Sequence, residues 1–185
     1  MKGKTKAGHD VGASKPKPDR PTMPQGYGIA KDSKGVLDWP KVEQRLGKAR
    51  NYWVATARPD GRPHAMPVWG LWLEGRFYFS SDGGSRKGKN IAAMPYAVVH
   101  LESGDDVVIL EGAAERVREK ELFSRVDKLY QRKYGMGFSG IPGDVALFAV
   151  APQVVFAWRE KDFPKSATRW RLGKSGDRVI EPSGD

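Results

Sequence analysis

The sequence predicts a mainly β protein with flanking helices, its antiparallel strands closed into a barrel. Three observations predict it. Three β-rich segments, at 51–58, 62–73 and 76–80, are joined by the turn formers Pro59-Asp60-Gly61 and Glu74-Gly75, which makes a meander. In the middle segment His64, Met66, Val68, Gly70 and Trp72 alternate with Ala65, Pro67, Trp69, Leu71 and Leu73. Both faces are largely apolar, so a barrel interior takes one while a partner subunit, ligand or helix covers the other. Helical signals fall outside this meander, near 39–47, 86–94 and 119–134.

The elements follow in order. Residues 1–35 are rich in Lys, Gly and Pro, with Pro16, Pro18, Pro21 and Pro24 interrupting the run. Such a stretch buries too little to offset its ordering entropy and is expected to be a basic, disordered arm. It carries eight Lys and Arg against three Asp, half of the net charge of +10, but almost no aromatics for base stacking, so nucleic acid is not expected as a partner. Asp38 before Trp39-Pro40, with Val42 and Leu46 at i,i+4 spacing, predicts a short helix stopped at Gly47. Within the strand 62–73, Pro67 has no N–H to give and marks an edge, bulge or break. Ser85 caps a helix from Arg86 to about Met94, closed by Pro95. Strands at 96–101 and 107–114 flank the turn Ser103-Gly104-Asp105-Asp106. Leu122, Phe123, Val126, Leu129, Tyr130 and Tyr134 form one helical stripe ended by Gly135, a lid or dimer helix. Leu147–Ala151 and Val154–Trp158 read as two strands separated by Pro152, and 167–172 as a last one. The folded domain therefore spans 36–172, followed by a polar tail at 173–185.

A chain of 185 residues suffices for one domain, which at that size buries roughly 70% of its unfolded surface. Cysteine is absent, which excludes disulfides, thiolate metal sites and a cysteine nucleophile. No window of 18 apolar residues and no apolar signal core occur, so a soluble, cytoplasmic protein is expected. His9, His64 and His100 and the acidic pairs have no metal-ligand spacing, and no metal is expected. No nucleophile and base stand at recognisable spacing, which leaves catalytic residues unassigned. The stretch Ser85-Arg86-Lys87-Gly88-Lys89-Asn90 opens a helix with free N–H groups, a hydroxyl and three cations. That is the composition of a phosphate site, and equally of a solvated basic helix face.

Taken in order, the run Ala55-Thr-Ala-Arg-Pro-Asp-Gly-Arg-Pro-His-Ala-Met-Pro-Val-Trp-Gly70, Phe77-Tyr-Phe-Ser-Ser81, Ser85-Arg-Lys87 and His100-Leu-Glu-Ser-Gly-Asp-Asp-Val-Val-Ile-Leu-Glu-Gly112 resembles the pyridoxamine 5'-phosphate oxidase-like split-barrel superfamily. Within it the sequence is most similar to the flavin/deazaflavin oxidoreductase B branch, whose closing segment Asp162-Phe-Pro-Lys-Ser-Ala-Thr-Arg-Trp-Arg171 resembles. The resemblance implies a homodimeric FMN-binding split barrel with FMN or the deazaflavin coenzyme F420 at the subunit interface. It implies hydride transfer between F420 and a small unsaturated or quinone-like molecule. The alternatives are an FMN-dependent oxidoreductase, or a non-enzymatic flavin- or haem-binding protein. By the same resemblance Ser85, Arg86 and Lys87 hold the phosphate, and Met66, Pro67, Val68 and Trp69 carry the ring. Ser80 and Ser81 contact the ribityl chain or ring. Apart from the resemblance, His64, beside the ring-binding strand, and Asn90, at the end of the Ser85–Asn90 stretch, are further candidate cofactor-binding residues. Trp158, Arg169 and Trp170 are expected to come from the second subunit.

Overall fold

Turn and cap chemistry places most of the element boundaries. The computed structural model describes residues 15–172. The chain runs β1 (Pro18–Asp19), α1 (Trp39–Lys48), β2 (Asn51–Ala57), β3 (Pro63–Trp69), β4 (Leu71–Leu73), β5 (Arg76–Asp82), α2 (Arg86–Ala93), β6 (Tyr96–His100), β7 (Asp106–Arg116), α3 (Lys120–Tyr134), β8 (Val145–Arg159), α4 (Phe163–Ser166) and β9 (Thr168–Arg171). Every strand pairing is antiparallel. β3, β2, β6, β7 and β8 are neighbours in that order, and β8 pairs on its other side with β5. β5 pairs with β4, which continues β3 after one residue, so the ring is closed by chain continuity. This is a mainly β barrel with flanking helices, as the alternation of apolar residues requires.

The barrel interior is filled from one face of each strand, among them Tyr52 and Val54 of β2, Phe77 and Phe79 of β5, Val99, Leu110 and Val155, with Trp170 of β9 fully buried beside them. α1 plugs one end with Trp39, Val42 and Leu46, and α2 adds Ile91. A second apolar layer lies outside the ring. Val126 and Tyr130 of α3 and Phe138 cover Leu71, Tyr78, Leu147 and Ala149. Thus α3 roofs the outer face of β4, β5 and the first half of β8, which is the surface where the site is built.

Five expectations need correction. First, the arm is placed from Lys15 onward rather than disordered. β1 pairs with β9, Pro18 opposite Trp170. The Arg20 guanidinium donates to the carbonyls of Asp32, Lys34, Lys165 and Ala167 at 2.7–2.9 Å. A planar cation with several donors supplies what aliphatic burial does not. Residues 1–14, with His9, and the tail 173–185 lie outside the described residues. Second, α1 runs through Gly47 to Lys48. A glycine in the last turn costs about 1 kcal/mol but does not end a helix whose apolar face is docked. Third, the long strand 62–73 is two strands, broken at Gly70. Pro67 lies opposite Trp53 on β3, whose other edge has no ladder partner among the described residues, so Pro67 sits at an edge, where a missing N–H is tolerated. At Gly70 a Cβ would overlap the Phe77 ring and approach the Tyr78 carbonyl to 2.8 Å. Fourth, β8 is one strand through Pro152. It exchanges β5 for β9 as neighbour there, at a bulge opposite Gly112. Fifth, Trp170 is fully buried against Trp39, ring centroids 5.4 Å apart, and cannot reach a second subunit.

No helix among the described residues is long and apolar enough to cross a membrane.

Candidate functional site

The start of α2 is built as a local unit. Ser85 is its N-cap, its Oγ accepting the Gly88 N–H at 3.2 Å. Gly88 is required by space, because a Cβ would meet the Gly83 carbonyl oxygen at 2.6 Å. Asp82 steadies the preceding turn by accepting the Gly84 N–H at 2.8 Å. The Ser81 hydroxyl lies 3.2 Å from Ser85 Oγ, and Lys87 Nζ donates to Ser81 Oγ at 3.1 Å. Three sequence-predicted residues, Ser81, Ser85 and Lys87, are thereby brought together at one helix entrance.

Lys87 also faces a cavity of about 270 Å³. One wall is Pro67, Val68 and Trp69 at the end of β3, with Ser80 of β5 beside Lys87. The opposite wall is Tyr130 of α3 and the loop residues Met136, Gly137, Phe138 and Ile141. The slot therefore has apolar walls, three aromatic side chains and one cationic end. Burial pulls the Lys87 ammonium below its ordinary pKa, and among the described residues no carboxylate forms an ion pair with it. A desolvated cation without a counter-ion at the end of an apolar slot is suited to an anionic group on an otherwise flat, apolar ligand.

The remaining predicted residues lie elsewhere. Arg86 is exposed on α2. Met66 is 45% exposed on β3 and does not line the cavity. Asn90 points into the protein rather than the slot. It is 1% exposed and donates to the Thr56 hydroxyl at 2.9 Å, which ties α2 to β2. His64 lies opposite Thr56, and its Nδ1 is buried without a partner among the described residues. Trp158 meets Phe163 edge-on at 5.6 Å, and Arg169 is held bidentate by Asp19 at 2.8 and 2.9 Å. Neither lines the slot within this chain.

Sequence reading missed Tyr130, Met136, Phe138 and Ile141. The helical stripe contained Tyr130, and the signal for the loop was the glycine spacing after it. Gly135 takes φ of +82° to end α3, and Gly137 leaves space for the Asp127 carboxylate, which a Cβ would meet at 2.5 Å. Asp127 accepts the Phe138 N–H at 2.6 Å and that of Ser139 at 3.3 Å, and also the Ser139 hydroxyl. Burial works to raise its pKa, but these donors outweigh it and hold the carboxyl below its ordinary value.

Known proteins share this architecture. The conserved hypothetical protein Rv2991 from Mycobacterium tuberculosis superposes with a TM-score of 0.62 at 21% identity, over 80% of this chain and 99% of that one. A structure described as an F420 reductase superposes with a TM-score of 0.51 at 23% identity, over 61% of this chain and 94% of that one. At the sequence level, a pyridoxine/pyridoxamine 5'-phosphate oxidase from Pseudomonas entomophila (strain L48) is 37% identical over 87 residues, which are 45% of this chain. The matched stretch spans only 40% of that relative's length. The family pattern described as pyridoxamine 5'-phosphate oxidase matches residues 39–159, from the first turn of α1 to the last residue of β8. That span contains the ring of strands, both walls of the slot and its cationic end, and by it this chain belongs to the pyridoxamine 5'-phosphate oxidase family, in the split-barrel superfamily.

Proposed function

We propose that the slot holds a phosphorylated three-ring coenzyme, F420 or FMN, and that the protein is an oxidoreductase acting with it on a small unsaturated or quinone-like molecule. The single observation that carries this reading is Lys87, a half-buried ammonium that has no carboxylate partner among the described residues and lines the same cavity as Pro67, Val68 and Trp69. The coenzyme, when bound, supplies the hydride chemistry. The chain's own part is to bind, orient and exclude water. Lys87 and the hydroxyls of Ser81 and Ser85 would take the phosphate, with the N–H groups of the first α2 turn behind them. Pro67, Val68 and Trp69 would flank the rings, and Phe138 and Ile141 would close the slot from the α3 side.

F420 is favoured by charge. Arg86 and Lys89 are exposed beside Lys87, and their field suits the longer anionic tail of that coenzyme, with a contribution that salt screens. FMN is the second reading, because the ring and phosphate contacts serve both. We further propose that two copies pair. The outer faces of β2, β6, β7 and the second half of β8 present Trp53, Ala55, Val98, Ile109 and Phe156, all only partly buried in one chain, which is apolar area suited to a second copy.

Titration of the full chain with FMN and with F420 tests the coenzyme, and light scattering after gel filtration tests the dimer. Replacing Arg86 and Lys87 together by Glu is expected to weaken coenzyme binding at least about tenfold, a change of about 1.4 kcal/mol. A double variant that titrates like the parent overturns the phosphate assignment. Tight binding without turnover of any tested acceptor converts the reading to a coenzyme carrier.

A further inference from the structure

The strand break at Gly70 takes backbone groups out of the sheet. β3 ends with Trp69 opposite Asn51 and β4 begins with Leu71 opposite Tyr78. Between them the Gly70 N–H and C=O and the Trp69 C=O are taken by side chains of α3. The Tyr134 hydroxyl accepts the Gly70 N–H at 2.9 Å and has the carbonyls of Gly70 and Arg50, each at 2.8 Å, to receive its proton. Lys133 Nζ donates to the Gly70 carbonyl at 3.0 Å and to the Tyr52 hydroxyl at 2.9 Å. The Tyr130 hydroxyl donates to the Trp69 carbonyl.

The rings are held by the same helix. Trp69 and Tyr134 stack with centroids 4.6 Å apart and planes 1° from parallel. The Arg50 guanidinium lies 5.1 Å from the Trp69 centroid and 5.8 Å from that of Tyr134. The backbone of Trp69 and its indole are therefore both fixed from α3, more than sixty residues away in sequence.

We propose that Tyr130, Lys133 and Tyr134 form a clamp of positioning residues that sets Trp69 as a wall of the slot, with the Lys133 ammonium as the cationic member of the clamp. Its consequence for ligands rests on the reading of the slot as the coenzyme site. Lys133 Nζ sits 5.0 Å from the Tyr52 ring centroid and 5.3 Å from that of Tyr134. The ionisable groups around it are Tyr52 from β2, Tyr130 and Tyr134 from its own helix, and Arg50 before β2. Among the described residues no carboxylate forms an ion pair with it. Burial lowers its pKa to about 8. Above that pH the amine loses its attraction to both tyrosine rings and donates more weakly to Gly70.

The test reads Trp69 in the full chain without coenzyme. Its emission is the difference between the protein and its Trp69→Phe variant, followed from about pH 6.5 to about pH 9.5, an interval that brackets an amine held near 8. A step near 8 is expected in the parent and none in Lys133→Met. Lys133→Arg, which stays charged throughout, keeps the acid-side emission at every pH. FMN affinity falls at least about threefold more across the same step in the parent than in either variant. A step that survives unchanged in Lys133→Met, or in Lys133→Arg should Met not fold, overturns the clamp, as does the absence of any step in the parent. A step that behaves as described in a chain binding neither FMN nor F420 keeps the clamp and removes the coenzyme reading.

Discussion

The two ends of the slot are built on different length scales. At the α2 end Ser81, Ser85, Lys87 and Gly88 fall within eight consecutive residues, and their hydrogen bonds join positions three to six apart. That end is complete as soon as one capped helix turn forms. At the α3 end Trp69 is held from positions more than sixty residues later, and Phe138 seals the slot from a loop beyond the helix. That end exists only when the ring of strands has closed and α3 has docked. Its residues must bury ring area and satisfy a broken strand at once, whereas the α2 end only has to present polar atoms.

The difference predicts an order of mutational effects. Phe138→Ala, at the 1%-exposed centre of the outer apolar layer, is expected to cost about 3–5 kcal/mol in urea unfolding, the largest loss. Gly70→Ala places a methyl against Phe77 at the strand break and is expected to cost about 1–3 kcal/mol. Ser85→Ala removes one cap acceptor at the local end and should cost about 1 kcal/mol. A Ser85→Ala loss as large as that of Phe138→Ala would erase the distinction between the ends.

The smallest effect sharpens the comparison through pH. The Asp127 carboxylate is held below its ordinary pKa by donors from Phe138 and Ser139, so the stability it adds is present above the ordinary carboxylate value and is lost as the pH falls through the lower folded value. Asp127→Asn should therefore unfold at a lower urea concentration than the parent at pH near neutrality. The gap should close in acid, below about pH 4. A gap that stays constant with pH would show that the loop is not tied down by charge.

Much of the fold was legible because its signals are short in range. Pro59-Asp60-Gly61 and Glu74-Gly75 reverse the chain where expected, Ser85 caps α2, and Gly135 ends α3. Pro67, Val68, Trp69, Ser80 and Lys87 do meet at one cavity. Asn90 was misplaced because a helix turns a residue by 100° per position, and only docking on β2 decided which side of α2 faces inward. Pro152 looked like a separator because its effect depends on what stands opposite it. Gly112 allows the bulge that lets β8 continue.

The amino-acid order alone determined the alternating strands, the turns between them and the capped, cationic start of α2, since each depends on neighbours within a few positions. Tertiary structure decided that the strand breaks at Gly70, that β1 pairs with β9 and Arg20 binds carbonyls at α4, and that α3 grips Trp69. The physical reason is common to all three. An unpaired backbone group, a guanidinium in search of acceptors and an apolar helix face declare what they need, but only the closed barrel determines which distant residues supply it.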